Sequence, residues 1–308
     1  MVKNIQNANY FWILLSLLVS IVAYVSRAYR WNMLIEPLGY KAKLKNTLCS
    51  LMVGYIANLA VPRIGEISRC EALSRSEKIP FNMLIGTVIT ERITDVIMLF
   101  LVLCLSGILK IDILGKFIVQ NILHPLKNKV YTIIHSPHIL IISIILIISL
   151  VLVSIILWKR KKNSLVAKTK DLVKGVAEGI KSIKKIKSIP NFIFHTILIW
   201  GTYFLTTYLC FFSLPATSGL GVVAGIFAVS IGGVGMSAPI QGGFGAYHLM
   251  VSSGLTLFGI RLEDGITFAT IVHSSQTLLV LLLGAISIIF LFISNKQLRN
   301  DSTSKNTI

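Results

Sequence analysis

NLAVPRIGEISRCEAL, residues 58–73, is the stretch that decides the fold. It follows an uncharged apolar run, LCSLMVGYIA. Five residues that break the chain or carry charge then fall within eight positions: Pro62, Arg63, Gly65, Glu66 and Arg69. Proline cannot donate a backbone hydrogen bond and glycine lets the backbone turn. The apolar element Leu48–Val61 is therefore predicted to dip into a membrane, end at Pro62 and return on the same side.

The composition is that of a polytopic helical membrane protein. Of the 308 residues, 54% are hydrophobic and only 14% are charged, whereas soluble domains carry about 25% charged residues. Backbone polar groups inside lipid must be satisfied within their own helix, so apolar runs of about 17–25 residues predict spanning helices and an all-α fold. The predicted spans are Tyr10–Val25, Phe81–Leu109, Ile139–Trp158, Phe192–Leu214 and Gly265–Ser294. Shorter apolar elements are predicted at Leu48–Val61, Leu220–Ala238 and Phe244–Ile260.

The basic residues predict the orientation in the membrane. The net charge is +18, and 23 of the 30 Lys and Arg fall on one side if Leu48–Val61 is re-entrant. That side, with residues 26–80, 159–190 and the tail, is therefore predicted to be cytoplasmic, and we expect a bacterial inner membrane. We interpret the positive charge as contact with anionic lipid headgroups, and we expect no nucleic acid partner.

Residues 163–189 alternate apolar residues and lysines at helical spacing. The pattern predicts a basic amphipathic helix that lies at the cytoplasmic interface and contacts anionic headgroups. A linker helix that only supplies positive charge explains the same pattern.

Two short strings suggest an internal repeat. ANLAVPRIGEISR starts at Ala57 and GMSAPIQGGFGAY starts at Gly235, and both contain Pro-x-x-Gly. Each follows a short apolar element, and the charge distribution makes the two elements enter from opposite sides. The pattern predicts an inverted repeat of two broken, re-entrant helical elements around a site near the bilayer midplane. We expect one transmembrane domain at 1–294, with halves 10–158 and 191–294, and a polar tail at 295–308.

The first break predicts an anion site. A helix that ends at membrane depth exposes N–H groups and the positive end of its dipole, which suit phosphate. Arg63 and Arg69 would add forked contacts to phosphate oxygens. Gly65 would allow the turn, and Glu66 would hold an arginine in place or compete with the ligand. A plain cytoplasmic turn with solvated charges is the alternative interpretation.

Further charged and polar residues extend the candidate site. Glu91, Arg92 and Asp95 lie ten or more residues into the apolar run Phe81–Leu109, at spacings that cluster near one helix face. Charges there are expected to face the bundle interior and pair. They would be counter-charges to the arginines of the break or proton-coupling carboxylates, or they would form a purely structural ion pair. In the second half the candidates are Gln241, Gly242, Gly243 and His273.

These residues resemble the transmembrane-region family of lysylphosphatidylglycerol synthases, a flippase-like domain. The resemblance runs over nearly the whole chain and rests on YRW (Tyr29–Trp31), PRIGEISR (Pro62–Arg69), ER (Glu91–Arg92) and PxxGGFG (Pro239–Gly245). It implies a lipid translocase. It also implies that Arg63, Glu66, Arg69, Glu91 and Arg92 belong to the site. Family members often carry a glutamate where Tyr247 and His248 stand, so no acidic role is carried into the second half.

We therefore expect a translocase that moves a phosphate-headed or otherwise anionic lipid, either a phospholipid or a polyprenyl-phosphate-type lipid, without cofactor or metal. A membrane-embedded phosphatase or transferase would need a catalytic constellation, which the sequence lacks. A small-solute transporter is the third possibility. Because relatives usually have a further span before the one that ends in RW, we expect Met1 to be an internal start. The aminoacyl transfer of two-domain relatives is expected to be absent.

Overall fold

A computed structural model describes residues 6–110, 174–176, 179 and 181–305, together with five single positions between 115 and 127, and gives side-chain positions up to residue 294. Every regular element within those ranges is helical, so the predicted all-α fold is confirmed. The α-helices are α1 Tyr10–Ile35, α2 Leu44–Ala60, α3 Gly65–Glu77, α4 Phe81–Leu109, α5 Ile189–Phe211, α6 Val222–Ser237, α7 Ala246–Thr256 and α8 Leu262–Lys305.

Four stretches of helix are long and apolar enough to cross a membrane: Tyr10–Leu38, Phe81–Leu109, Ile189–Phe211 and Leu262–Ser294. Large apolar side chains are exposed on all four of them, among them Phe100 and Ile108 on α4 and Phe292 on α8. Exposed apolar surface of this extent is rare in soluble monomers, and it suits contact with lipid. The chain is therefore an integral membrane protein.

The other four helices form two hairpins. A turn at residues 61–64 joins α2 to α3, and a segment at 238–245 joins α6 to α7. These helices have 17, 13, 16 and 11 residues, so each is about 16–26 Å long, which is less than the roughly 30 Å of hydrocarbon in a bilayer. The breaks predicted at Pro62 and Pro239 are therefore confirmed. The inverted relation between the two hairpins stays a prediction.

Glycines let the two arms of each hairpin touch. In the first hairpin, a Cβ on Gly65 would clash with the carbonyl oxygen of Gly54, and a Cβ on Gly54 would lie 2.7 Å from that of Gly65. In the second, a Cβ on Gly235 would lie 3.0 Å from the carbonyl oxygen of Ala246. A side chain at any of these three glycines would push the helices apart, so they set the helix spacing.

The two turns meet through reciprocal hydrogen bonds. Arg63, in the first turn, donates from Nη2 to the carbonyl oxygen of Ser237, the last residue of α6. Gln241, in the second turn, donates from Nε2 to the carbonyl oxygen of Ala60, the last residue of α2, at 3.1 Å. Each side chain satisfies a carbonyl that a helix end leaves without an intrahelical partner. The tips of the two hairpins are therefore fastened to each other.

Two groups of buried side chains surround the hairpins. One joins α5 to α8, where the Phe211 and Phe268 rings lie 5.0 Å apart between centroids. The other joins α1, α3 and α4 through Trp31, Leu73 and Leu84, all of which are fully buried. The second group holds three helices around the charged residues described below.

The first helix extends beyond its predicted end. The apolar run predicts a span that ends at Val25, where charged residues begin, but α1 continues for ten more residues to Ile35. At the other end of the chain, α8 continues beyond the predicted end of the span at Ser294 and through most of the predicted tail, to Lys305.

The long segment between the two halves is described only in part. The predicted span Ile139–Trp158 lies outside the described residues, as does most of the predicted basic helix at 163–189. Within that second stretch, Gly179 packs directly against Gly86 of α4, and Ser182–Lys185 form a 3-10 turn before α5. The end of this segment therefore contacts the bundle.

Candidate functional site

Six charged side chains meet inside the bundle, and we call them the arginine–carboxylate cluster. They are Arg27 and Arg30 of α1, Arg69 of α3, and Glu91, Arg92 and Asp95 of α4. Helical spacing brings the members of each helix together, because residues three or four apart share a face. Glu91 follows the start of α4 by ten residues, or about 15 Å. The cluster therefore lies within the span rather than at its end.

Glu91 is the centre of the cluster and is fully buried. Its Oε1 accepts hydrogen bonds from Arg27 Nη2 at 2.5 Å and from Arg92 Nη2 at 3.0 Å. Its Oε2 accepts from Arg69 Nη1 at 3.0 Å, and Arg30 Nη2 lies 3.6 Å from Oε1. One carboxylate thus holds arginines from all three helices.

Asp95 closes the other side of the cluster. Its Oδ1 accepts from Arg30 Nη2 at 2.6 Å, and its Oδ2 accepts from Arg27 Nη2 at 3.2 Å. Arg27 also donates from Nη1 to the hydroxyl oxygen of Tyr203 at 2.7 Å. Because Tyr203 belongs to α5, this bond connects the cluster to the second half of the chain.

Trp31 of α1 positions Arg69 of α3. It is fully buried, and its Nε1 donates to the hydroxyl oxygen of Thr87 at 2.9 Å. The Arg69 guanidinium carbon lies 4.8 Å from the centroid of its ring, which is the geometry of a cation–π contact. The tryptophan therefore links α1 to α4 and fixes the orientation of Arg69.

The cluster carries an excess of positive charge. Four arginines face two carboxylates, which leaves two positive charges without a counter-charge in the cluster. Five guanidinium nitrogens have no hydrogen-bond partner among the described residues: Arg27 Nε, Arg30 Nε, Arg30 Nη1, Arg69 Nη2 and Arg92 Nε. Buried charges and unpaired donors each cost free energy unless they are compensated. An anion would supply both the charge and the acceptors.

Arg92 connects the cluster to a groove. The groove has a volume of about 510 Å³ and lies between α3 and α4, and seven of its nine lining residues are isoleucine or valine. The other two are Glu66 and Arg92. The Arg92 side chain is 39% exposed, whereas that of Glu91 is 0% exposed. A molecule in this groove would therefore meet apolar walls, to which Arg92 contributes the apolar part of its side chain.

The residues of the first turn make other contacts. Arg63 has φ 64°, a left-handed value that is uncommon outside glycine, and it braces the second turn through Ser237. The N–H of Gly65 donates to Asn58 Oδ1 at 2.7 Å. An N–H group that the sequence pattern predicts to bind an anion is therefore already hydrogen-bonded to a side chain of the protein. Glu66 lines the groove, and its Oε2 has no partner within the described part of the chain.

The candidates of the second half gather at the second turn. Gly242 and Gly243 have φ values of 55° and 73°, which favour glycine. His273 Nε2 donates to the carbonyl oxygen of Gly242 at 2.8 Å, and the ring of His248 lies 4.9 Å from that of His273 between centroids. Together with Gln241, these residues shape the second turn and its contact with α2.

The structure thus brings together four of the predicted residues in the cluster, Arg69, Glu91, Arg92 and Asp95, and places the others at the turns or in the groove.

Comparison with known proteins shows the family to which the chain belongs. A family model described as the lysylphosphatidylglycerol synthase TM region matches residues 1–284. The chain belongs to this family. The matched region contains both hairpins and the whole arginine–carboxylate cluster, and the resemblance seen in the sequence is confirmed.

One curated relative is the UPF0104 membrane protein MJ1595 of the archaeon Methanocaldococcus jannaschii. It is 33% identical over 110 residues, which is 34% of this chain and 33% of the relative. The chain therefore aligns with about one third of the relative's length. No solved structure matches the chain. Family and relative agree on a membrane protein, and neither description gives a substrate for this chain.

Two cluster residues are missing from the sequence prediction, Arg27 and Arg30. The apolar pattern ends the first span at Val25 and so leaves both arginines in a loop, where they count toward orientation. Arg30 also belongs to the YRW motif of the family resemblance, but the sequence prediction assigns neither arginine to the site. Two features of the sequence could have identified them. The two arginines are three residues apart and continue one face of the preceding helix, and Trp31 follows directly after Arg30.

Among the described residues, no three His, Cys, Asp or Glu side chains are grouped as a metal site requires.

Proposed function

We propose that this protein is a lipid translocase that moves a phosphate-headed lipid, either a phospholipid or a polyprenyl-phosphate-type lipid, between the two leaflets of a membrane. The observation that carries the proposal is the arginine–carboxylate cluster, which is buried within the spans, positively charged and continuous with an apolar groove through Arg92. A lipid headgroup needs charge-assisted donors, and its acyl chains need an apolar surface. The cluster and the groove offer both side by side.

The arginines would replace the water that a phosphate loses when it leaves the interface. An unpaired charge in hydrocarbon costs at least several kcal/mol, so transfer needs donors along the path. Arg92 makes the first contact because its side chain reaches the groove. Arg69 and Arg30 hold further donors behind it. Glu91 and Asp95 keep the guanidinium groups apart and oriented between binding events.

The two hairpins would let the site face either leaflet. In transporters with inverted repeats, broken helices flank a site at the midplane, and one half rocks against the other. The reciprocal bonds support such a twofold relation, because Arg63 caps the helix before the second turn and Gln241 caps the helix before the first. Rocking would break these bonds and expose the cluster to one leaflet at a time.

Lipid exchange in liposomes that contain the purified protein tests the proposal. The rate at which a fluorescent phosphate-headed lipid becomes accessible to a membrane-impermeant quencher is measured. Arg92→Gln should slow exchange about tenfold or more, because a hydrogen bond to a charged group contributes about 1.5–3 kcal/mol. Arg75→Gln is the matched control, because Arg75 pairs with Glu71 at the exposed face of α3, and it should keep the wild-type rate.

Two results would overturn the proposal. One is wild-type exchange that is no faster than in protein-free liposomes. The other is equal exchange rates for the Arg92 and Arg75 variants, since the groove arginine would then play no special part.

A further inference from the structure

The charge balance of the arginine–carboxylate cluster identifies a class of headgroup. We infer that the site selects a phosphomonoester headgroup over a phosphodiester, an inference that rests on the proposed translocase function. The four arginines exceed the two carboxylates by two charges. A phosphomonoester carries about −1.5 to −2 at neutral pH, whereas a phosphodiester carries one negative charge. Only the monoester brings the cluster close to neutrality.

Burial makes this balance decisive. Arg30 is fully buried, and Arg27 and Arg69 are 7% and 3% exposed. A residual charge is poorly screened at such positions, because the surrounding dielectric is low and solvent ions do not reach it. Glu66 lines the adjacent groove but forms no ion pair with these arginines in the described part of the chain. The excess of two charges therefore refers to the ion-paired residues of the cluster, without Glu66.

The free donors point to the same class. Five guanidinium nitrogens without a partner among the described residues belong to four arginines on three helices. A phosphomonoester offers three terminal oxygens as acceptors, and these diverge in space, whereas a phosphodiester has only two non-bridging oxygens. Three diverging oxygens match donors that come from α1, α3 and α4.

The packing also favours a terminal phosphate. Behind Arg92, the Arg69 guanidinium lies over the ring of Trp31, which is fully buried and donates a hydrogen bond to the fully buried Thr87, so little space is left around Arg69. A monoester phosphate ends the lipid and can enter from the groove with its oxygens first. A phosphodiester would have to bring its second alcohol substituent among the same buried groups.

Exchange of two lipids with identical labelled acyl chains tests the inference. Phosphatidic acid is the monoester and phosphatidylglycerol is the diester, and the ratio of their exchange rates is measured with the wild-type protein. At pH 7.5 the ratio should be about ten or more, if the additional charge contributes as one charged hydrogen bond does. At pH 5, below the second phosphate pKa of about 6, both lipids carry one charge and the ratio should fall toward one.

The ratio isolates the headgroup from the protein. Among the described residues, the titratable groups that contact the cluster arginines are Glu91, Asp95, Tyr203 and Tyr55, and both lipids experience them equally. Two variants move the balance in opposite directions. Asp95→Asn, which raises the excess from two to three charges, should increase the ratio, and Arg92→Gln should decrease it. Glu71→Gln, which lies outside the cluster, should leave the ratio unchanged.

The outcomes separate this inference from the proposed function. Equal exchange of both lipids at pH 7.5 overturns the phosphomonoester preference and leaves the translocase proposal standing, whereas no exchange of either lipid overturns both. A third arm uses radioactive inorganic phosphate. Its uptake without lipid exchange would show that the site serves a free anion and would also overturn the inference. If a variant fails to fold, the wild-type ratio and its pH profile decide alone.

Discussion

Glu91→Gln should destabilise the protein strongly, although it replaces a single oxygen by an amino group. The carboxylate is fully buried and accepts hydrogen bonds from Arg27, Arg69 and Arg92 at 2.5–3.0 Å. Its loss raises the positive excess of the cluster from two charges to three. The new amide nitrogen can only donate, so it would face guanidinium donors. Removal of one partner from a buried ion pair costs about 3–5 kcal/mol.

Unfolding of the purified protein in detergent, followed by the loss of helical circular dichroism, measures this effect. Glu71→Gln is the matched control, because it makes the same chemical change in an exposed pair with Arg75 at 2.6 Å. Exposed pairs contribute about 0–1 kcal/mol, so the control should unfold nearly as the wild type does. A Glu91 variant that loses no more stability than the Glu71 variant would refute the description of the cluster as a buried and mutually dependent ion network.

Two further predictions concern the hairpins. Gly65→Ala should lower the yield of folded protein, because its Cβ would clash with the carbonyl oxygen of Gly54. Gly219→Ala is the control and should keep the wild-type yield, because no atom lies within 4 Å of the added Cβ. Size-exclusion chromatography of detergent extracts compares the two yields. Gln241→Ala should lower the free energy of unfolding by about 0.5–1.5 kcal/mol, because it removes the bond to Ala60. Unfolding that matches the wild type would show that the contact between the turns is not stabilising.

The sequence predicts the helices best where an apolar run and a helix coincide. Phe81–Leu109 has the predicted bounds at both ends, because Pro80 precedes it and Lys110 follows its last apolar residue. The breaks at Pro62 and Pro239 follow from backbone chemistry in the same way. Glu91 and Asp95 are expected to form ion pairs inside the bundle because an isolated charge in lipid is costly. The structure shows Glu91 paired with Arg69 and Asp95 paired with Arg30.

The missing parts of the site share one cause. Arg27 and Arg30 lie on α1 beyond the point where charge enters the sequence, and a hydropathy pattern ends a span at that point. The pattern also overlooks α3, because GEISRCEALSRSE contains no apolar run. The charged side chains of both segments are buried because they pair with charged side chains of another helix, as Arg69 does with Glu91. Hydropathy evaluates one segment at a time, so it cannot register such compensation.

The break at Pro62 explains why charged residues follow an apolar helix so closely. A straight helix from Leu44 to Glu77 would be about 51 Å long, and Arg69 would lie about 37 Å from its start, beyond the roughly 30 Å of hydrocarbon. The turn sends the chain back along α2 instead, with Gly54 and Gly65 in contact. Arg69 then reaches Glu91 within the bundle, while Arg63 remains at the tip and braces the other hairpin. A single interruption therefore separates a structural arginine from a cluster arginine only six positions apart.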